Sequence, residues 1–236
     1  MGKIWAISSG SGGVGKTTLA LALAVGAAQK GKQVVLLDAC GLSRSCDLLL
    51  GVESIMSIDL SDVLTQQMDI KSALYPVAQC ENLKLANVSL YSDVPLEEMS
   101  GVILAIQSMC DILVIDLPAG KSLAQEGIMN SEDEWLLVLR PDDAAIRSCE
   151  RMMQGARGTG INTSLVLSRV RKERIKRGQQ YAADAVSMLL DAPVMGMLPE
   201  DEMFIPTTAQ GKKLQEWQRI AKSAPVREVL GKLLNI

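Results

Sequence analysis

G-S-G-G-V-G-K-T-T, residues Gly10 to Thr18, follows the apolar run Ile4–Ile7 and precedes a helix of small residues. It matches the phosphate-binding pattern G-x-x-x-x-G-K-[ST] in the strand–loop–helix setting that gives the pattern meaning. Glycines let the backbone approach an anion and turn its N–H groups inward. A helix starting near Lys16 aims its positive dipole end at the same place. Lys16 is placed to reach the β- and γ-phosphates, and the Thr17 hydroxyl to ligate Mg²⁺. A plain glycine-rich turn has no need of Lys-Thr at that offset. The segment reads as a nucleoside triphosphate site.

Outward from the loop, short apolar runs alternate with helical patterns. Strands are expected at Lys3–Ser8, Gln33–Asp38, Leu83–Asn87, Ile112–Asp116, Glu134–Leu139, Thr163–Leu167 and Val194–Leu198. Several are apolar throughout, as parallel strands covered on both faces must be. Between them lie helix candidates such as Thr17–Lys30, Asp142–Gly155, Gly178–Leu190 and Val226–Leu234. The rhythm predicts an α/β fold: a doubly wound, mostly parallel sheet of about seven to eight strands flanked by helices. With no break in composition, residues 1–236 are expected to form a single nucleotide-binding domain. Ligands of such sheets sit beyond the carboxyl ends of the strands. Two aspartates end strands there, Asp38 in V-V-L-L-D and Asp116 in I-L-V-I-D. Carboxylates at those points can hold Mg²⁺ directly or through its water shell.

Composition narrows the chemistry. The chain has no histidine, which excludes His-based triads. Five cysteines, Cys40, Cys46, Cys80, Cys110 and Cys149, contain no C-x-x-C pair, so neither zinc ribbon nor disulfide framework is indicated. A reducing cytoplasm is the simplest compartment. A net charge of −3 gives no overall footprint for nucleic acid. The basic run Arg169–Arg177 is read as a solvated loop and helix start, with a nucleic-acid or acidic-lipid patch as the competing reading. No apolar stretch approaches membrane-spanning length. The stripe Val226, Val229, Leu230, Leu233 and Leu234 reads as a core-packing helix rather than an interfacial anchor, because Arg227 and Lys232 are opposed by Glu228.

In its motifs the chain resembles the MinD/ParA family of deviant-Walker ATPases, and within it the MinD branch. The resemblance runs through Ile7–Thr18, Asp38–Gly51, Ile115–Gly120, Arg140–Ser148 and Leu198–Asp201. It implies binding of ATP (or ADP) with Mg²⁺, nucleotide-dependent homodimerisation, a regulatory or cargo protein as partner, and a role in positioning, cell division included. It also implies that Gly12, Gly13, Val14, Gly15, Lys16, Thr17 and Thr18 cradle the phosphates. Thr17, Asp38 and Asp116 would serve the metal, while Ser168, Arg169, Pro199 and Glu200 would pack near base and ribose.

Two departures separate the chain from that pattern. The family's loop begins K-G-G-x-G-K-[ST], with a first lysine that reaches the partner's phosphates, and Ser11 stands at that position here. Two residues after the strand-ending Asp38 the family carries an aspartate that positions the attacking water, and Cys40 stands there. A cation on the developing charge is worth ~10³–10⁵ in rate, and water positioning roughly 10²–10⁴. The binding groups are untouched, so nucleotide binding with weak or absent hydrolysis is expected. Arg44 and Lys121 are the cations that could replace the missing lysine, in which case the chain is an active ATPase with substitute residues. A redox pair of Cys40 and Cys46 and a structural adaptor with an empty loop are further readings. A bacterial tyrosine kinase is disfavoured, because Asp38-Ala39-Cys40 breaks its D-x-D motif.

Overall fold

A computed structural model of the chain describes residues 1–40, 45–66, 68–88, 96–122, 128–204 and 214–236. Eight strands form one sheet: β1 Lys3–Ser8, β2 Val34–Asp38, β3 Tyr75–Pro76, β4 Leu83–Asn87, β5 Ile112–Asp116, β6 Glu134–Leu139, β7 Asn162–Val170 and β8 Val194–Pro199. Their order is β3-β4-β2-β5-β1-β6-β7-β8. Every pairing is parallel except the short edge pair of β3 with β4. The doubly wound reading therefore holds, with a two-residue edge strand too short to leave a periodic signal.

Alternation within the strands explains why they are apolar throughout. Trp5, Ile7, Val34, Leu36 and Val114 belong to a core on one face. Ile4, Ala6, Val35, Leu37, Leu113 and Ile115 belong to a second core on the other. Neither face meets water, so no polar position survives inside the central strands.

Helix α1, Lys16–Gln29, lies in the first core and buries all but two of its residues. Its alanines and leucines pass between the sheet and the helices α8, Leu214–Ala221, and α9, Ala224–Leu234. A Cβ on Gly26 would stand 2.9 Å from Leu230 Cδ2, so the small residue sets how close α9 comes. Val226, Val229, Leu230 and Leu233 of α9 are buried in that same core, and Leu234 packs beside it. The stripe read as a core-packing helix is one.

The remaining helices are α2 Cys46–Leu50, α3 Leu60–Gln66, α4 Leu96–Ser108, α5 Asp143–Gln154, α6 Lys172–Lys176 and α7 Ala183–Leu190. The long helix expected over Gly178–Leu190 is corrected to α7 alone. Gly178 has φ +68°, and the Gln180 side chain donates to the Arg169 carbonyl while accepting from the Arg171 N–H. These bonds close a turn where a helix would otherwise start. The basic run becomes the end of β7 plus the short exposed α6, as the solvated reading expects. β7 also continues to Val170, beyond the expected Leu167.

Candidate functional site

Strand β1 is flanked by β5 and β6, and the chain leaves its carboxyl end into α1. Two glycines of the connecting loop are required by backbone shape. Gly13 has φ +69°, and Gly15, at φ +96°, is the left-handed residue immediately before α1. A side chain at either would be strained. Gly10 is required by space: a Cβ there would meet Ser148 Oγ at 2.4 Å and the Ser148 backbone carbon at 2.8 Å. Ser148 Oγ donates to the Gly10 carbonyl at 2.8 Å, so α5 props the loop from behind. Gly10→Ala is expected to cost about 1–3 kcal/mol, seen as a fall in Tm of roughly 2–10 °C. An unchanged melting curve would show that α5 yields freely.

The strands bring the two aspartates into register. Asp38 is the Cα partner of Asp116, and Asp116 of Ile7, so β2, β5 and β1 end level beside the loop. Sequence reasoning projected both carboxylates from the sheet edge, but both are fully buried. Thr17 Oγ1 donates to Asp116 Oδ2 at 2.5 Å. That bond fixes the hydroxyl and leaves its lone pairs for a cation on the phosphate side. Among the described residues Asp116 Oδ1 is buried with no hydrogen-bond partner. A buried acceptor left unpaired is costly unless a cation or water completes it. These residues fit a divalent cation beside a polyphosphate.

Asp38 has a second job that its position in the chain did not reveal. Its Oδ1 accepts from the Cys40 N–H at 2.9 Å, and its Oδ2 from the Ser45 and Cys46 N–H groups at 3.1 and 3.0 Å. The carboxylate therefore holds the entry to α2, and its action on a metal runs through what capacity remains. Cys40 is buried beside it, its thiol 3.6 Å from the Asp116 carbonyl oxygen. Asp38, Cys40 and Asp116 each offer a ligand atom within 4.8 Å of the others. Lys16 is buried at the start of α1 and forms no ion pair among the described residues, as suits a cation reserved for a ligand.

Burial pushes the Asp116 carboxyl up to about 7; the Thr17 hydroxyl bond and Lys16 lower it, while Asp38 raises it. An unfolded aspartate titrates near ~3.9. The folded chain thus keeps a proton that the unfolded chain sheds. Stability of the nucleotide-free protein should fall as pH rises from about 4 to about 7, and level off above. Asp116→Asn is expected to remove a loss on the order of 2–3 kcal/mol between about pH 5 and about pH 8. Urea midpoints at about pH 5 and about pH 8 check this; an equal pH slope in the variant would refute it.

On the other side of β1, the remaining candidates gather at the ends of β7 and β8. Ser168 is buried, with its hydroxyl on the Leu139 carbonyl at 3.4 Å, so it supports the β6 end. Arg169 is exposed at φ +50°. Glu200 pairs with Arg171, a residue that sequence reasoning did not single out. Pro199 and Glu200 lead into the turn Glu202–Phe204, whose last carbonyl accepts from Thr18 Oγ1 at 3.5 Å. This contact brings the segment after β8 to the first turn of α1.

Ser11 is partly exposed at the mouth of the loop, and its carbonyl accepts from Ser9 Oγ at 2.6 Å. Lys121 is exposed one residue after Gly120, whose N–H donates to the Ser9 carbonyl at 2.8 Å. Arg44 lies outside the described residues. Cys46 is fully buried at the head of α2, and burial together with Asp38 raises its thiol well above the usual range. Thiols so placed are poor nucleophiles, which weakens the redox-pair reading.

Comparison with known proteins places these features in a wider set. The sequence profile of the CobQ/CobB/MinD/ParA nucleotide binding domain matches residues 5–214. The septum site-determining protein MinD of Synechocystis sp. is 32% identical over 218 residues, which span 91% of this chain and 82% of that protein. The MinD cell division protein of Aquifex aeolicus has a TM-score of 0.84 at 26% identity, covering 99% of this chain and 97% of that one. A MinC:MinD cell division protein complex from the same organism gives a TM-score of 0.77 at 25% identity, with 99% of this chain and 94% of that chain covered.

Proposed function

We propose, because the chain belongs to the CobQ/CobB/MinD/ParA nucleotide-binding family, that it is a Mg-ATP-binding switch for positioning or regulation that turns ATP over slowly. One observation carries the reading. Lys16 and the Thr17–Asp116 pair are intact at the head of α1, while the two positions expected to drive hydrolysis hold Ser11 and Cys40. Binding and turnover depend on different residues, so one can persist while the other is lost.

In this reading the loop N–H groups and Lys16 hold the phosphates. Thr17 Oγ1, oriented by Asp116, would ligate Mg²⁺, with Asp116 and Asp38 acting around it. When bound, the ion neutralises β- and γ-phosphate oxygens. The turn Glu202–Phe204 and the ends of β7 and β8 would cover the base and ribose. ATP is preferred over other triphosphates from the family alone. The output would be a homodimer formed on nucleotide binding, or docking of a regulatory or cargo protein. The Aquifex relative is described in complex with MinC, so a cell-division partner of that kind is the first to try. Among the described residues no helix is long and apolar enough to cross a membrane.

Light scattering with a slowly hydrolysed ATP analogue tests the output. The mass should double relative to the ADP-loaded chain. If mass stays constant while the analogue binds, the dimer is wrong and partner docking remains.

The competing reading, an active ATPase, is favoured by one observation. The hydrogen bond of Gly120 to Ser9 ties the Lys121 loop to the phosphate loop. Lys121→Ala then discriminates. A drop in turnover of a hundredfold or so would make Lys121 the substitute cation, whereas an unchanged slow rate supports the switch.

A further inference from the structure

We infer that the pocket formed by Asp38, Cys40 and Asp116 is a binding site for a borderline or soft divalent cation of the Zn²⁺, Co²⁺ or Cd²⁺ class, open to such ions when no nucleotide is bound. An inventory of lone pairs leads there. Among the described residues Asp38 Oδ2 accepts two backbone N–H bonds and Asp38 Oδ1 one, which leaves Oδ1 further acceptor capacity. Asp116 Oδ2 is taken by Thr17, whereas Asp116 Oδ1 is buried with no hydrogen-bond partner within normal geometry among the described residues, and the Cys40 side chain lies against the same carboxylate. The Cys40 sulfur completes a set whose ligand atoms all lie within 4.8 Å of one another. Three ligands around one such ion stand roughly 3.3–3.9 Å apart, given metal–sulfur bonds of ~2.3 Å, metal–oxygen bonds of ~2.0–2.2 Å and tetrahedral or trigonal angles. One ion can therefore reach all three once the ligand atoms close by up to about 1 Å.

Ligand chemistry then selects the ion. Mg²⁺ wants octahedral oxygen, keeps several waters and gains nothing from sulfur. Thiolate ligation favours Zn²⁺ and its softer relatives. A coordinated divalent charge favours the thiolate, and the thiol proton leaves to solvent. Two carboxylates and one thiolate around a dication, with Lys16 close by, leave the pocket near neutrality.

Cobalt reports its own ligands, so it serves as the probe. The full-length, nucleotide-free chain is titrated with Co²⁺ while the near-ultraviolet thiolate-to-cobalt charge-transfer band is followed. One equivalent should develop the band, Zn²⁺ should displace the cobalt, and excess Mg²⁺ should not. Cys40→Ser should lose the band and weaken Zn²⁺ binding by at least about tenfold; because loss of a supporting group alone costs ~10–100-fold, it is the loss of the band that marks the sulfur as a ligand. Cys46→Ser should keep the band, and Asp116→Asn should keep it at lower affinity. Circular dichroism confirms that each variant is folded, and a Cys40→Ala variant repeats the test if serine proves unstable. Cobalt bound with no charge-transfer band would mean surface carboxylates only and would overturn the assignment. A band that survives Cys40→Ser, or that Mg²⁺ abolishes, would do the same. Nucleotide binding is measured separately and does not depend on this result.

Discussion

Lys16→Ala is expected to abolish detectable binding of Mg-ATP while leaving the fold intact. The ammonium is buried at the first turn of α1 and pairs with no carboxylate among the described residues. Removing one partner of a buried, hydrogen-bonded charge pair costs 2–5 kcal/mol or more, which is about 30-fold to several-thousand-fold in Kd. The readout is thermal. At about a hundred times Kd, a ligand stabilises the native state by ~2.7 kcal/mol, or roughly 5–10 °C in a chain of this size. The parent chain should show that shift with Mg-ATP, and Lys16→Ala should show none. A shift of equal size in both would remove the phosphate loop from the binding reading. It would leave the chain a family member with an idle site. Any fall in the melting temperature of the variant alone should be small beside that shift, because among the described residues no ion pair is broken with it.

What could be read ahead of the structure followed from local rules. Positive φ is demanded at Gly13 and Gly15 by the turn into α1, and only glycine supplies it without strain. Asp38 and Asp116 stood out because each ends a run of four apolar residues that could only be a buried strand. Both readings depend on a few consecutive residues. The parts that stayed hidden are made by residues far apart in the chain. Thr17 meets Asp116 across 99 positions and Gly10 meets Ser148 across 138. Neither pairing leaves a periodic trace.

The same reasoning explains the helices that the sequence pattern does not single out. α8 is held by Trp217, fully buried, whose indole N–H donates to the Leu49 carbonyl at 2.8 Å. Its polar neighbours Gln215, Glu216 and Gln218 look like a loop until that anchor is known. At Gly178 a backbone turn won over the helical periodicity that follows it. The place of Asp38 at a strand end points to a metal. Its three backbone hydrogen bonds become visible only once α2 is seen to start beside it. A carboxylate with two duties cannot be separated into them by sequence.

The second large effect concerns catalysis, and here the expected change is a gain. Ser11→Lys with Cys40→Asp should raise the ATP turnover rate by at least about a hundredfold, with affinity changed no more than a few-fold. A lysine at position 11 has room: Ser11 is partly exposed, and a Cβ added at the adjacent Gly12 would meet nothing within 4 Å. Its charge would serve the phosphoryl group as it passes through the transition state, where a delivered cation is worth ~10³–10⁵. Aspartate at position 40 supplies the acceptor that a protonated thiol lacks, worth roughly 10²–10⁴. The two gains act on one transition state and should not multiply. Cys40→Asp also carries a penalty in the free protein, because it adds a third carboxyl to a pocket already shared by Asp38 and Asp116. Like charges at that spacing disfavour ionisation, so the single variant should melt lower than the parent and recover when Mg-ATP is bound. The kinetic pattern is decisive: kcat should rise while the Kd for Mg-ATP stays nearly constant, which is the signature of groups that act only in the transition state. If the parent chain already shows fast, Lys16-dependent turnover, or the double variant is no faster, then Ser11 and Cys40 are not where the chemistry was lost.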